Sequence, residues 1–425
     1  MSASGLLPAR TELRPIVSEL RLSAFKSHRR AAFRLAPRPL TPGPRGSGKS
    51  GVLEAYAAPP RRGAAARLAE VFRDPGAYIP RRARPDRQGR RGFRIGCTVD
   101  GPVGPVRVDV AVQAEPELRI VGERMTGAGE TLLETALRDP GRRCVQAAWH
   151  TAGAVAVTRA PLPDDRLATS LLPLRVAGTT EGQRLALAAA EQVVIALRSV
   201  FPCDPRPDRM RAPAPPRDGR LRGGCENLAT VLRRTSRECG TRHAALVAAV
   251  RAGCAGPVEG LVTEGRADGV VRALVEQGEL GAMPVERLGD GELRYLALAL
   301  VLLTGPGVLA VDPAADVLPA RQVLTVLADG FDRCLDRRQA RELLGVAARM
   351  CARGHIRLVG TVGDVSGGGG GGAPAPRAAR GPPPARAGAV AGAGEPGGGG
   401  PPVAGGCGGG ELTPAGARGG KWPAV

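Results

Sequence analysis

The chain has 425 residues, with 60 Lys and Arg against 40 Asp and Glu, a net charge of +20. Hydrophobic residues make up 43% but aromatics only 3%, so a core for two or three domains must be built from Ala, Val and Leu. The longest apolar run, residues 295–304, is too short to span a bilayer, the nine cysteines show neither C-x-x-C nor zinc spacing, and no secretory signal opens the chain. Membrane-spanning, disulfide-rich secreted and structural-zinc proteins are excluded, and a cytoplasmic protein with reduced thiols is expected. Basic balance invites nucleic acid as a partner. Only Lys26, Lys49 and Lys421 are lysine, however, and an almost pure arginine charge is also what GC-rich coding produces.

Residues 1–14 read as a flexible N-terminus. Residues 20–25 and 31–35 alternate apolar and polar side chains around the basic turn 26–30, which predicts a hairpin. Pro39 and Pro42 flank Leu40-Thr41, a poor lead-in strand because proline cannot donate to a ladder. Then comes Gly43-Pro44-Arg45-Gly46-Ser47-Gly48-Lys49-Ser50, which fits G-x-x-x-x-G-K-[ST]. In that pattern the glycines let backbone N–H groups turn toward the α- and β-phosphates. Lys49 reaches the β- and γ-phosphates, and the Ser50 hydroxyl binds Mg²⁺. Residues 50–57 start a helix whose N-terminal dipole adds to the anion site. One of only three lysines stands where this motif needs it.

Residues 64–73 are a candidate helix, and the basic run 81–91 reads as a solvated loop. Strands are expected at 93–99, 106–112 and 118–121, ending at Gly122-Glu123-Arg124. A helix at 130–138 and short strands near Val145 and Val155 complete the first lobe. Residues 180–201 have a helical period, with Glu181 near the start. Residues 203–216 are a proline-rich surface excursion. Helices are expected at 225–237 and 242–252, short strands within 253–287, and a buried helix at 292–303. Residues 307–312 form a candidate buried strand ending in Asp312. Helices 319–328 and 336–352 and a strand at 356–362 follow. Residues 366–425 are Gly, Ala, Pro and Arg without apolar periodicity, the composition of a disordered tail or of a shifted reading frame in GC-rich DNA.

Leu288-Gly289-Asp290-Gly291-Glu292-Leu293-Arg294-Tyr295 opens the buried helix. It resembles the signature motif of ATP-binding-cassette ATPases in the D-G-E form of the RecF and SMC-like branch. The order of P-loop, signature and Asp-ended strand agrees with that branch, as do the hairpin before the P-loop, the meander closing at Gly122-Glu123, and Cys225-Glu226-Asn227-Leu228-Ala229 opening a helix. From about residue 13 to 364 the chain is similar to predicted AAA-family, ABC-type ATPases of GC-rich bacteria.

The resemblance implies an α/β P-loop NTPase fold of ABC/RecF type, with a mixed sheet, an antiparallel β lobe and a helical lobe. Residues 15–365 would be the ATPase domain: 15–160 the P-loop and β-meander lobe, 161–290 a helical insertion, 291–365 the signature helix, Walker B and final strand. It implies ATP and Mg²⁺ as cofactors, Lys49 and Asp312 as catalytic residues, and Ser50 and Asp312 as metal ligands. Residues 43–50 would hold the nucleotide, and Gly289, Asp290, Gly291 and Glu292 would complete the site of a second copy in a head-to-tail homodimer. Nucleotide state would then be coupled to a partner protein or DNA. The sequence also departs from the family. Pro313 stands where a glutamate should polarise water, Thr361-Val362 where a histidine senses the γ-phosphate, Arg45 for asparagine and Gly289 for serine. The lobe-joining glutamine has only Gln113 and Gln146 as candidates, and no heptad run supports a coiled coil. A slow ATPase is the leading expectation. The alternatives are an ATP-binding switch without turnover and a basic nucleic-acid-binding protein with a vestigial ATP site.

Overall fold

The computed structural model describes residues 14–35, 40–41, 48–63, 67–152, 156–212, 214–215, 219–267, 269–311 and 322–363. Alternating apolar residues build its first sheet from β1 (Ile16–Phe25), β2 (His28–Arg34), β4 (Arg91–Asp100), β5 (Val106–Glu115), β6 (Arg119–Gly127), β7 (Glu130–Ala136), β8 (Cys144–His150) and β9 (Val157–Pro163). The order is β2-β1-β4-β5-β6-β7-β8-β9, and every neighbouring pair is antiparallel. Side chains alternate across the pleat, so Leu20, Leu22, Ile95, Val108, Val110 and Leu133 fall on one buried face. The long helix α4 (Glu181–Arg198) packs on this sheet. Thr180 caps it, accepting from the Gln183 N–H at 3.2 Å. The buried Gln192 side chain of α4 donates to Val99 O (3.0 Å) and Gly104 O (2.8 Å) and accepts from Val103 N–H (3.0 Å), pinning the β4–β5 turn. The few aromatics are concentrated: Phe25, Phe72, Tyr78 and Phe93 meet with centroids between 4.8 and 6.1 Å apart.

Of residues 130–138, expected to be helical, Glu130–Ala136 are strand β7. The run Glu-Thr-Leu-Leu-Glu-Thr-Ala suits a helix locally, but the tight turn at Ala128 (φ 51°) and Gly129 (φ 82°) folds it back onto β6, and pairing on both edges overrides propensity. Of the helix expected over 64–73, the described part is the four-residue α2 (Leu68–Val71), while residues 64–66 lie outside the described residues.

The second sheet is parallel throughout. Its strands are β10 (Val200–Cys203), β14 (Leu324–Ala328), β15 (Ile356–Thr361) and β3 (Leu40–Thr41), in that order. It carries α1 (Lys49–Gly63) on one face. A small antiparallel sheet of β11 (Gly260–Gly265), β12 (Val271–Glu276) and β13 (Ala282–Pro284) follows α5 (Pro207–Met210), α6 (Leu228–Glu238) and α7 (Gly240–Gly253). The short α3 (Ala168–Leu171) lies against α4, and α8 (Asp290–Leu303) packs against α5, α7 and α9 (Arg337–Ala352). As its all-round apolar sequence requires, every residue of α8 from Leu293 to Leu302 is buried.

Two further expectations change. Within residues 319–328, expected to be helical, Leu324–Ala328 is the fully buried strand β14, and 319–321 lie outside the described residues. A five-residue apolar run is too short for its period to separate helix from strand. Residues 307–311, expected to be strand, are turns with one bridge. Leu221 N–H donates to Val308 O (2.7 Å) and Ala310 N–H to Leu221 O (2.8 Å). The fold is thus mixed α/β, with an antiparallel β lobe and helices around a parallel sheet, as expected for the class.

Candidate functional site

The site begins where β3 leaves the parallel sheet. Leu40 pairs with Gly360 and Thr41 with Thr361. Gly43, Pro44, Arg45, Gly46 and Ser47 lie outside the described residues. The chain reappears at Gly48, and α1 starts at Lys49, with Lys49 half-buried and Ser50 exposed. Gly48 has φ +84°, a conformation that favours glycine, and an added Cβ would lie 2.8 Å from His28 Cε1. Its carbonyl accepts from Val52 N–H (3.2 Å) and is 3.1 Å from His28 Nε2. Lys26, in the same β1–β2 turn, is ion-paired with Glu54 of α1 and sits 5.1 Å over the Tyr78 ring. One hairpin turn of the first sheet therefore braces the opening of α1 at two points. The inner face of α1 is locked by Val52, Leu53, Ala55 and Tyr56, and burial pushes the Tyr56 phenol up to about 12. A helix N-terminus beyond the carboxyl end of a parallel strand is a natural anion site.

The other parallel strands end at the same edge. β14 runs into Asp329, whose Oδ1 accepts from the Thr361 hydroxyl at 2.6 Å, and Thr361 Oγ1 accepts from Gly330 N–H at 2.9 Å. Because Thr361 also pairs with Thr41, the Asp329 carboxylate stands one strand away from β3. β10 runs into Asp204, 3.2 Å from Arg294 and 3.4 Å from Arg333. The sequence reading gives Asp329 no role, because it follows a stretch expected to be helical. Leu-Thr-Val-Leu-Ala-Asp is the same apolar run ending in a carboxylate that singled out Asp312. Asp312 and Pro313 lie outside the described residues, and the stretch leading to them is not in the parallel sheet. Gly330 follows Asp329, and the next carboxylate, Asp332, accepts Gly363 N–H at 3.0 Å.

Gly289, Asp290, Gly291 and Glu292 form the first turn of α8. Gly289 N–H donates to Glu292 Oε2 (3.1 Å), and Arg211 reaches both Asp290 Oδ1 (2.7 Å) and Leu288 O (2.9 Å). Gly291 meets the entry to α9, where a Cβ would lie 2.4 Å from Cys334 O. From α8 the buried Arg294 crosses to the parallel sheet, donating to Asp204 Oδ1, Pro205 O (2.5 Å) and Gly330 O (3.2 Å). Gly48, Lys49 and Ser50 thus join the sheet edge that carries Asp329, while Gly289 to Glu292 open α8, which packs against α5, α7 and α9 and reaches that edge through Arg294. Of the two glutamine candidates, Gln113 is buried in β5 and donates to Glu117 O (3.0 Å), and Gln146 is on β8. Among the described residues no three His, Cys, Asp or Glu side chains group as a metal site. One hydroxyl and one carboxylate suit Mg²⁺, which keeps waters and takes phosphate oxygens as its remaining ligands. No helix among them is long and apolar enough to cross a membrane.

Solved structures similar to this chain include three SMC heads. An SMC head bound to the C-winged-helix domain of ScpA shares 12% identity at a TM-score of 0.45, covering 82% of this chain and 90% of that one. The SMC head domain from Thermotoga maritima shares 13% at 0.37, covering 82% and 89%. An SMC head with an extended coiled coil, bound to the C-terminal domain of ScpA from Pyrococcus furiosus, shares 12% at 0.40, covering 82% and 89%. No family model and no curated protein matches the chain.

Proposed function

We propose that the chain binds Mg-ATP at residues 43–50 and works as a nucleotide-gated homodimer that hydrolyses ATP slowly. The observation that carries this reading is the junction at Gly48 and Lys49. A strand of a parallel sheet precedes it, a left-handed glycine turns the chain, and the motif lysine opens a helix at the carboxyl edge. Lys49 would hold the β- and γ-phosphates, and Ser50 the metal. We assign the metal-side carboxylate to Asp329 in preference to Asp312, because β14 is a strand of the sheet and 307–311 is not. Gly330 in the following position carries no base, and this supports slow turnover. In the dimer, Gly289 to Glu292 of one copy would close on the nucleotide of the other. Opening and closing would then be passed to a partner protein or to DNA.

The experiment measures ATP binding, dimerisation and phosphate release by the full chain beside Lys49→Ala, Asp329→Asn and Asp312→Asn. Lys49→Ala is expected to weaken binding about 10- to 100-fold, the worth of one charge-assisted contact. Asp329→Asn is expected to remove the Mg²⁺ dependence, and Asp312→Asn to behave as wild type. The opposite pattern in the two aspartate variants returns the metal to Asp312. Binding and dimerisation without phosphate release makes the protein a switch, and no binding by wild type defeats the reading.

A further inference from the structure

The residue after Asp329 is a glycine, yet the place its side chain would take is occupied. Gly330 has φ +59°, and a Cβ built there would lie 3.0 Å from Arg333 Nε and 3.1 Å from Arg333 Nη2. The guanidinium therefore lies against position 330, beside the candidate metal carboxylate. Its Nη2 is 3.9 Å from Asp329 Oδ2, and its Nη1 is 3.4 Å from Asp204 Oδ1. A half-exposed cation thus stands between the ends of β10 and β14, at the carboxyl edge of the parallel sheet.

The turn that presents Arg333 is fixed. Phe331 is buried, and its N–H donates to Thr361 O (2.8 Å). Asp332 accepts Gly363 N–H at 3.0 Å, and Arg333 N–H donates to Gly330 O (2.9 Å). Thr361, on which this turn hangs, also pairs with Thr41, two residues before Gly43. The Arg333 side chain, by contrast, is held loosely. Asp204 also serves Arg294, which is buried and depends on that carboxylate to offset its charge. Arg333 and Asp204 are each about half exposed, and an ion pair of that kind contributes little. Asp329 is engaged as well, accepting from the Thr361 hydroxyl at 2.6 Å. A stronger anion at this edge would draw the guanidinium away at small cost, and phosphate oxygens match its fork of donors.

We propose that Arg333 binds the terminal phosphate of the nucleotide held by its own chain, and so sets a preference for a nucleoside triphosphate over a diphosphate. This rests on the reading of residues 43–50 and Asp329 as a Mg-ATP site. Lys49 reaches both the β- and the γ-phosphate, so it does not by itself tell one nucleotide from the other. A cation on the far side of the metal carboxylate does. A metal ion on Asp329 would take up the negative charge that now faces Arg333 and leave the guanidinium to the phosphate. The same residue fits slow turnover. A guanidinium keeps its proton and cannot act as a base toward water, so the group beside position 330 holds the triphosphate without activating its attacker.

The test titrates the full chain with ATP and with ADP, each in Mg²⁺, by displacement of a fluorescent ATP analogue at concentrations where the protein sediments as a monomer. Arg333→Gln is expected to weaken ATP about 10- to 100-fold, the worth of a charged hydrogen-bonded contact, and to leave ADP within about twofold. Arg333→Lys should keep part of the preference, because it keeps the charge and loses the fork. Arg341→Gln, which removes an exposed charge from α9, should leave both nucleotides as in wild type. Equal losses of ATP and ADP in Arg333→Gln would make the arginine a screen for Asp204 and Asp329 and overturn the proposal. A preference for ATP that arises only when two copies associate would overturn the placement within one chain. Binding of neither nucleotide by wild type defeats the reading of residues 43–50 itself. Binding of both by wild type, with the same ratio in Arg333→Gln, overturns the Arg333 assignment alone.

Discussion

The two larger sheets are assembled in opposite ways. All eight strands of the antiparallel sheet come from residues 16–163, with only β3 and the α1–α2 segment intervening. The four parallel strands come from residues 40, 200, 324 and 356 onward, four distant parts of the chain. The β1–β2 hairpin and the meander from β4 to β9 can each pair from local turns, and the β1–β4 pairing joins the two. The second sheet exists only when four segments converge, and its carboxyl edge collects Asp204, Asp329, Thr361 and the opening of α1. Both sheets carry a buried apolar core, and the candidate chemistry lies on the composite one.

The sharpest test of that division is Asp164→Ala in the first lobe. Arg119 is buried, donating to Asp164 Oδ2 (2.8 Å) and to the carbonyls of Pro140 and Arg142 (2.7 Å each). Removing the carboxylate leaves a buried cation, and about 3–5 kcal/mol of unfolding free energy should be lost in urea melts. A loss below about 1 kcal/mol, the scale of a surface pair, would mean the lobe does not depend on this anchor.

Arg294→Met makes the matching cut at the composite edge. Its partner Asp204 is half exposed and can be hydrated, so the loss should be smaller, about 1–3 kcal/mol for the hydrogen bonds removed. Hydrogen exchange should quicken around Gly330 while the first sheet keeps its protection. Exchange quickening in both sheets alike would break the comparison.

Gly48→Ala probes where the two sheets meet. The left-handed backbone costs a side chain about 1–2 kcal/mol, and the new Cβ would collide with the His28 ring. Melting should shift modestly while ATP affinity falls, because the strain sits on the proposed phosphate loop. Unchanged affinity for a fluorescent ATP analogue would separate Gly48 from the nucleotide.

What could be read in advance follows the same division. The alternation of residues 93–99 and 106–112 and the all-round apolar character of residues 293–302 are complete within their own stretches, and both appear in the structure. β14 was not legible, because its five apolar residues have no period of their own and become a strand only by lying between β10 and β15. For the same reason the Asp-ended apolar runs at Asp312 and Asp329 look alike in sequence, whereas in the structure the run before Asp329 is a strand of the parallel sheet and residues 307–311 are not. β7 was hidden because its partners on both edges, rather than its composition, make it a strand.

The smallest expected effect lies in the loop of the first sheet that carries Arg81 to Arg87. Hydrogen bonds from the Arg90 backbone N–H first, then from its side chain, hold the Asp86 carboxyl below its ordinary value. A folded-state value below the unfolded one means that the contribution is present above the unfolded value, about 3.9, and is lost as pH falls through the lower folded one. The Gln88 and Arg90 amide resonances should therefore titrate together, with a midpoint below about 3.9. Asp86→Asn keeps an acceptor oxygen for both amides but has no proton to gain, so its resonances should stay flat over the same range. A midpoint at or above the ordinary carboxylate value would mean that Asp86 does not staple the turn.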